Sequence, residues 1–177
     1  MECICSSKSW DEAYLKLMKY SPVFDQELSQ QVCDKTPRYM RYLDKVLDKL
    51  PDFVPCVVIE KDIENLWRSH KKRNSRIEDF CQNYKLYTHG LQRALKLHAK
   101  RIHRVKYEAL CVDTHNQLNE IFSFLRLPFK PEYASNRHKT LLEYYTKNCI
   151  EVEPHPEEEM ILLNRLKSEY PDFSLVR

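Results

Sequence analysis

Apolar residues recur at helical spacing through most of the chain, and two short runs rich in β-branched residues interrupt that rhythm. Near the start, Tyr14, Leu15, Leu17 and Met18 form an untidy apolar face that predicts a helix over residues 11–20 of an opening segment, 1–33. Thr36 then Pro37 reads as an N-cap hydroxyl with proline in the first turn, and Met40, Leu43, Val46, Leu47 and Leu50 repeat at i, i+3, i+4 until Pro51. The run from Phe53 to Ile59 is continuously apolar rather than alternating, which predicts a buried parallel strand with helices on both faces. Asp62 is placed to cap a helix bearing Ile63, Leu66, Trp67 and His70, and a longer helix runs from Ile77 to about His98. Ile102 to Leu110 reads as a second strand. Thr114 and Gln117 read as a capping box for a helix with Leu118, Ile121, Phe122 and Leu125 on its face, ended by Leu127-Pro128. From Lys130 the chain looks polar and irregular until Pro156, where three glutamates open a last helix from Glu157 to about Tyr170.

This order implies an α/β fold with a small parallel sheet flanked by predominant helices. Two strands are too few to protect a parallel pair, so the sheet is expected to be part of a larger one. The expected organisation is a single domain over 1–177. It comprises the opening helical segment 1–33, a core over 34–129 and a C-terminal extension over 130–177 that ends in the last helix.

Composition narrows the function. Average usage would give roughly 12 glycines, and the 177 residues contain one, Gly90. A Walker loop or a dinucleotide fingerprint needs several glycines, so any nucleotide site must be built from side chains. No apolar run exceeds seven residues, and Glu2, Asp11 and Glu12 lie in the first 20, so neither a membrane span nor a signal peptide is expected. The seven cysteines are an odd count with no C-x-x-C pair and read as reduced thiols, with no metal site.

The net charge is +3, but its signs are segregated. Arg68, Lys71, Lys72, Arg73 and Arg76 run without an intervening acid, as do Arg93, Lys96, Lys100, Arg101, Arg104 and Lys106, while acids collect from Glu151 to Glu159. Such blocks suit a polyanion, or are simply solvated faces.

Four ordered segments carry a more specific signal: Asp34-Lys35-Thr36-Pro37-Arg38-Tyr39; Val57-Val58-Ile59-Glu60-Lys61-Asp62; Ser69, eight residues after Lys61; and Val105-Lys106-Tyr107-Glu108-Ala109-Leu110. A helix ending Phe124-Leu125-Arg126-Leu127-Pro128 follows them. The set resembles the middle and later parts of sulfotransferases that use 3′-phosphoadenosine 5′-phosphosulfate (PAPS), over about residues 33–129. The resemblance implies a P-loop-like sulfotransferase fold in truncated form. It also implies PAPS as co-substrate, without a metal, and a hydroxyl or amine acceptor on a glycan, protein or small molecule. Lys61 and Ser69 match the pair that holds the 3′-phosphate, Tyr107 matches a position near the adenine, and Lys35 matches a lysine reaching toward the transfer site. The residues agree independently. Lys61 ends a strand of an α/β sheet, where ligands bind, and Ser69 stands two helical turns beyond Asp62 on the same face. The plainer readings are a solvated lysine at Lys61, an exposed helix serine at Ser69, a core tyrosine at Tyr107 and a surface lysine beside a helix cap at Lys35.

Several departures qualify the resemblance. Lys61 stands for an arginine and loses its bidentate fork; Ile63 stands for a proline, Ala109 for an aspartate, and Arg126 for a glycine. The family's amino-terminal strand and Lys-x-Gly-Thr loop, which wrap the 5′-phosphosulfate, are echoed only by Ser6-Ser7-Lys8-Ser9-Trp10. No histidine or glutamate falls on a matched base position, and His70, His89 and His98 read as core or interface residues. The expectation is thus a fragment or diverged sulfotransferase that keeps a 3′-phosphate subsite and transfers little sulfate alone. The alternatives are a non-catalytic relative that binds a nucleotide or a partner, and a basic helical module that binds nucleic acid. The compartment reads as cytoplasmic as the sequence stands, or Golgi lumen for a piece of a glycan-type enzyme.

Overall fold

A computed structural model describes residues 8, 9, 12, 13, 16, 33, 35–150 and 152–171. Among the described residues of the opening segment, Glu12, Ala13 and Lys16 are helical, and the Ser9 hydroxyl accepts from the Glu12 amide at 3.1 Å, the geometry of a helix start. The rest of the helix expected over 11–20 lies outside the described residues.

Pro37–Tyr42 forms a 3-10 helix and α1 follows as Leu43–Lys49. The sequence predicts one α-helix capped by Thr36, but the Thr36 side chain makes no capping hydrogen bond. The tighter first turns let this segment lie directly on the long helix described below. β1 is Cys56–Glu60 and β2 is Ile102–Lys106, paired in parallel from Cys56 with Ile102 to Glu60 with Lys106. Among the described residues the sheet has these two strands, order β1-β2.

Between the strands lie α2, Ile63–Lys71, and α3, Ile77–His98, both starting where the hydrophobic period predicts. Asp62 caps α2, accepting from the Glu64 and Asn65 amides at 2.9 and 3.3 Å. After β2 come α4, Tyr107–Val112, α5, Thr114–Phe124, and α6, Pro131–Tyr145; a π-helical turn at Thr146–Ile150 and α7, Glu157–Glu169, complete the chain.

The core unites Leu43 and Leu47 of α1, Val58 of β1, Ile63 and Trp67 of α2, and Phe80, Tyr84, Leu91 and Ala94 of α3 with Leu163 and Leu166 of α7. Burial, with the carboxylates of Glu60 and Asp62 nearby, pushes the Tyr84 hydroxyl up to about 12. Beyond β2, His103 stacks on Phe124 with ring centroids 5.1 Å apart, and the aromatic group Phe122, Phe129 and Tyr133 ties α5 to α6.

Four expectations are corrected. β1 is not buried on both faces: Ile59 is 58% exposed, because β1 is an outer strand and α5 packs by β2. The second strand stops at Lys106, opposite the last residue of β1, and the helix formers Glu108, Ala109 and Leu110 continue as α4. The cap of α5 is Asp113, which accepts from the Asn116 amide; Thr114 is fully buried and donates its hydroxyl to the Leu110 carbonyl at 2.8 Å. Finally, the stretch expected to be irregular after Lys130 is mostly helical, with Pro131 in its first turn.

Candidate functional site

Glu60, the last residue of β1, is buried and receives a two-pronged ion pair from Arg104 of β2, with Nη2 to Oε2 at 2.9 Å. That pair closes the strand end, and the next residue, Lys61, turns toward α2. Glu108 of α4 fixes this turn from the other side: its Oε1 accepts the Asp62 amide at 2.9 Å and the Asn65 side-chain amide at 3.5 Å. The strand, the helix cap and α4 are therefore joined at one point, and Lys61 is carried on it.

Here the structure brings together three residues singled out from sequence. Lys61 Nζ donates to Ser69 Oγ at 3.1 Å, and the Ser69 hydroxyl donates in turn to the Asn65 carbonyl at 3.0 Å. The same ammonium lies 4.8 Å from the centroid of the Tyr107 ring, within cation–π range. Tyr107 opens α4 and does not lie on a strand, as the sequence reading has it. Burial first, and then the neighbouring Cys111 thiol, hold its hydroxyl well above the ordinary tyrosine range. Lys35 is exposed before the 3-10 helix and joins none of these contacts.

Two site residues escape the sequence reading. Tyr145, at the end of α6, meets the Tyr107 ring edge-on with centroids 6.2 Å apart, and Cys149, in the π-helical turn, feels the Lys61 charge. Burial raises the Cys149 thiol, partly offset by the Lys61 charge. Neither could be found by spacing, since both come from the stretch read as irregular.

A family model described as the sulfotransferase family matches residues 5–131. The chain belongs to the sulfotransferase family. PAPS use is the general property of these sulfotransferases. No curated protein and no solved structure matches the chain. The matched range starts well before the motifs quoted above, at residue 5, and it contains Lys61, Ser69, Tyr107 and Glu108 while leaving out Tyr145 and Cys149.

The sulfotransferase motif also explains one of its departures. Arg126, where the resembling proteins carry glycine, has φ of 56°, and the Leu127 and Arg126 amides bond the Phe122 and Ser123 carbonyls at 2.8 and 3.0 Å. This is a Schellman ending to α5, whose left-handed residue favours glycine.

The basic blocks are largely engaged in structure. Lys71 pairs with Glu159 at 2.7 Å, Lys72 donates to Asn148 at 2.7 Å, and Arg68 reaches His155 at 3.2 Å and the Glu153 carbonyl at 3.3 Å. Arg93 pairs with Asp44, and Arg101 donates to the carbonyls of Leu47, Val54 and Pro51. The histidines are committed as well: His70 packs on Phe80, His89 bonds the Tyr170 hydroxyl, and His98 meets Asp48. Cys33, Cys56, Cys81, Cys111 and Cys149 are free thiols, while Cys3 and Cys5 lie outside the described residues. Among the described residues no cluster of three or more His, Cys, Asp or Glu could hold a metal, and no helix is long and apolar enough to cross a membrane.

Proposed function

We propose that this sulfotransferase-family chain binds the adenosine 3′,5′-bisphosphate part of PAPS at Lys61, Ser69 and Tyr107, in the service of sulfuryl transfer to a hydroxyl or amine acceptor. The observation that carries the reading is the 3.1 Å bond between Lys61 Nζ and Ser69 Oγ at the carboxyl end of β1. A cation and a hydroxyl that already touch can turn together to a phosphate oxygen with little ordering cost. The Tyr107 ring beside them supplies an apolar face for a purine. PAPS provides the activated sulfuryl group. The residues assigned here hold the nucleotide end, and none is assigned to proton transfer, since the histidines are held in other contacts. Lys35, exposed and apart from this subsite, is proposed as a contact for the acceptor or the sulfuryl end.

A chain retaining only the 3′-phosphate subsite would bind the nucleotide and transfer little sulfate. Against a nucleic-acid module stands the pairing of Arg68, Lys71 and Lys72 with the chain's own C-terminal segment.

Calorimetry of the full chain with adenosine 3′,5′-bisphosphate tests the proposal. Binding should fall at least about tenfold in Lys61→Ala/Ser69→Ala, the loss of a charge-assisted phosphate contact. Adenosine 5′-monophosphate, which lacks the 3′-phosphate, should bind the wild type and the double variant alike. No binding at millimolar ligand, or equal binding by the double variant, refutes the site. Oligonucleotide binding with a steep salt slope would favour the nucleic-acid reading.

A further inference from the structure

The end of the molecule opposite Lys61 carries a surface with no part in the nucleotide site. There Leu50 to Pro55 lead into β1 and the 3-10 turn Ala99–Arg101 leads into β2, so this end lies at the amino ends of both strands. Along β1 it is about 17 Å from Lys61.

α1 and α3 run side by side in the same direction toward this end. Arg93 pairs with Asp44 at 2.9 Å, His98 meets Asp48 at 2.9 Å, and Arg101 reaches Asp52 at 3.5 Å. Each acid of α1 and of the loop after it is thus met by a basic group of α3 or of its last turn. Four lysines remain in excess. Lys45 and Lys49 stand one turn apart on α1, Lys96 and Lys100 one turn apart at the end of α3, and all four are exposed.

Two large apolar side chains stand among them. Phe53 is 83% exposed, and Leu97 is 65% exposed on the edge of α3 beside α1, one turn from Arg93 and one turn from Arg101. The loop that carries Phe53 is held in place, because Arg101 donates to the carbonyls of Leu47, Pro51 and Val54 at 2.9, 2.9 and 3.1 Å. Left in water, both side chains forgo the gain of burial. Apolar tips ringed by ammonium groups on long aliphatic stems suit a lipid interface, where the tips enter the acyl boundary and the lysines stay at the headgroups. A duplex would give Phe53 and Leu97 nothing to do, and the arginines that would grip its phosphates, Arg93 and Arg101, are turned to the chain's own carboxylates and carbonyls.

We propose that this end, with Lys45, Lys49, Lys96 and Lys100 around Phe53 and Leu97, docks on an anionic lipid surface. Docking there leaves the carboxyl ends of the strands, with Lys61 and Ser69, pointing away from the membrane. The docking face and the nucleotide site stand independently of one another.

The test is sedimentation of the full chain with vesicles of phosphatidylcholine containing about 30% phosphatidylserine, against phosphatidylcholine alone. Binding should require the anionic lipid and weaken as salt is raised. Each lysine near the surface is worth about fivefold in partition, so Lys96→Gln/Lys100→Gln should bind about 25-fold more weakly. Arg73→Gln/Arg76→Gln removes the same net charge from the exposed stretch before α3 and should bind as the wild type does. Phe53→Ser should lose at least about tenfold, the transfer of a phenyl ring, with an unchanged melt because the ring is exposed. No binding to the anionic vesicles overturns the proposal, as does wild-type binding by Phe53→Ser. Equal loss in the two charge-pair variants overturns it too, since attraction to net charge alone would then account for the binding. A duplex oligonucleotide that binds through Lys96 and Lys100 while the vesicles do not bind assigns the face to nucleic acid and overturns it as well.

Discussion

Gly90 is the chain's one glycine, and it sits in the middle of α3, where glycine is usually the poorest choice short of proline. On an isolated helix Gly90→Ala would stabilise by about 1 kcal/mol. Here the sign should reverse. A Cβ at Gly90 would stand 1.9 Å from the Met40 carbonyl oxygen, 2.7 Å from the Arg41 carbonyl carbon and 2.8 Å from its oxygen. All three are backbone atoms of the 3-10 helix, so no side-chain rotation relieves the clash. Bringing 1.9 Å up to 3.0 Å requires the two backbones to part by about 1 Å, which a close-packed interior resists. The movement strains Arg93 against the Arg41 carbonyl, 2.9 Å, and against Asp44, together with the bond from Arg41 to Asn83. It also shifts Leu43 and Leu47 from the core. Overpacking of this kind costs about 1–3 kcal/mol, and each weakened hydrogen bond adds about 1 kcal/mol. Against the propensity gain, the net loss is about 2–3 kcal/mol, or about 5–10 °C in Tm for a chain of this size. Urea unfolding followed by circular dichroism measures it, with exposed Lys96→Ala on the same helix as a control that should move by less than about 0.5 kcal/mol. A Gly90→Ala protein as stable as the wild type would refute the close-approach reasoning.

Other changes have equally definite signs. Arg126→Gly removes a left-handed strain of about 1 kcal/mol but loosens the unfolded chain, so denaturant melts should show a gain of about 0.5 kcal/mol; a loss would mean that the Arg126 side chain contributes contacts. Glu108→Ala leaves the Asp62 amide without its acceptor and should cost about 1–3 kcal/mol, with weaker nucleotide binding, whereas Glu108→Gln keeps an acceptor and should retain most of both. Burial, reinforced by Arg73, holds His70 below its ordinary value of 6.5. A lowered histidine adds stability that is full above the unfolded value and lost as pH falls through the folded one. Stability should therefore decline below about pH 6.5, and less steeply in His70→Phe; parallel curves would contradict that burial penalty.

What the sequence makes legible follows the range of the interactions involved. α2 and α3 are set by local signals, an Asp62 cap and a strong apolar stripe, and both begin where those signals put them. The Lys61–Ser69 contact is legible for the same reason, since a strand end and two helical turns fix both residues within one short segment. α6 is not legible, because among its described side chains only Ala134 is deeply buried and Tyr133 and Tyr144 face solvent. Its stability comes from α4 and α5, which sequence spacing does not reveal. The end of β2 is set by the length of its partner rather than by its own residues. Tyr145 and Cys149 reach the site only through this tertiary arrangement.

The segregated charges illustrate the same division. In sequence, Arg68 to Arg76 and Glu151 to Glu159 look like two independent features, one inviting a polyanion and the other a solvated tail. In space they largely answer one another, and Lys71 and Arg68 are matched by Glu159 and the Glu153 carbonyl. Lys61 differs in kind: among the described residues its contacts are a hydroxyl and an aromatic face, both neutral, so its charge is hydrogen-bonded but not neutralised. A cation fixed beside a buried strand end, with no carboxylate in contact among the described residues, keeps its attraction for an anion while its geometry is already set. That distinction is the reason the nucleotide site is proposed at Lys61 and not on the basic blocks around it.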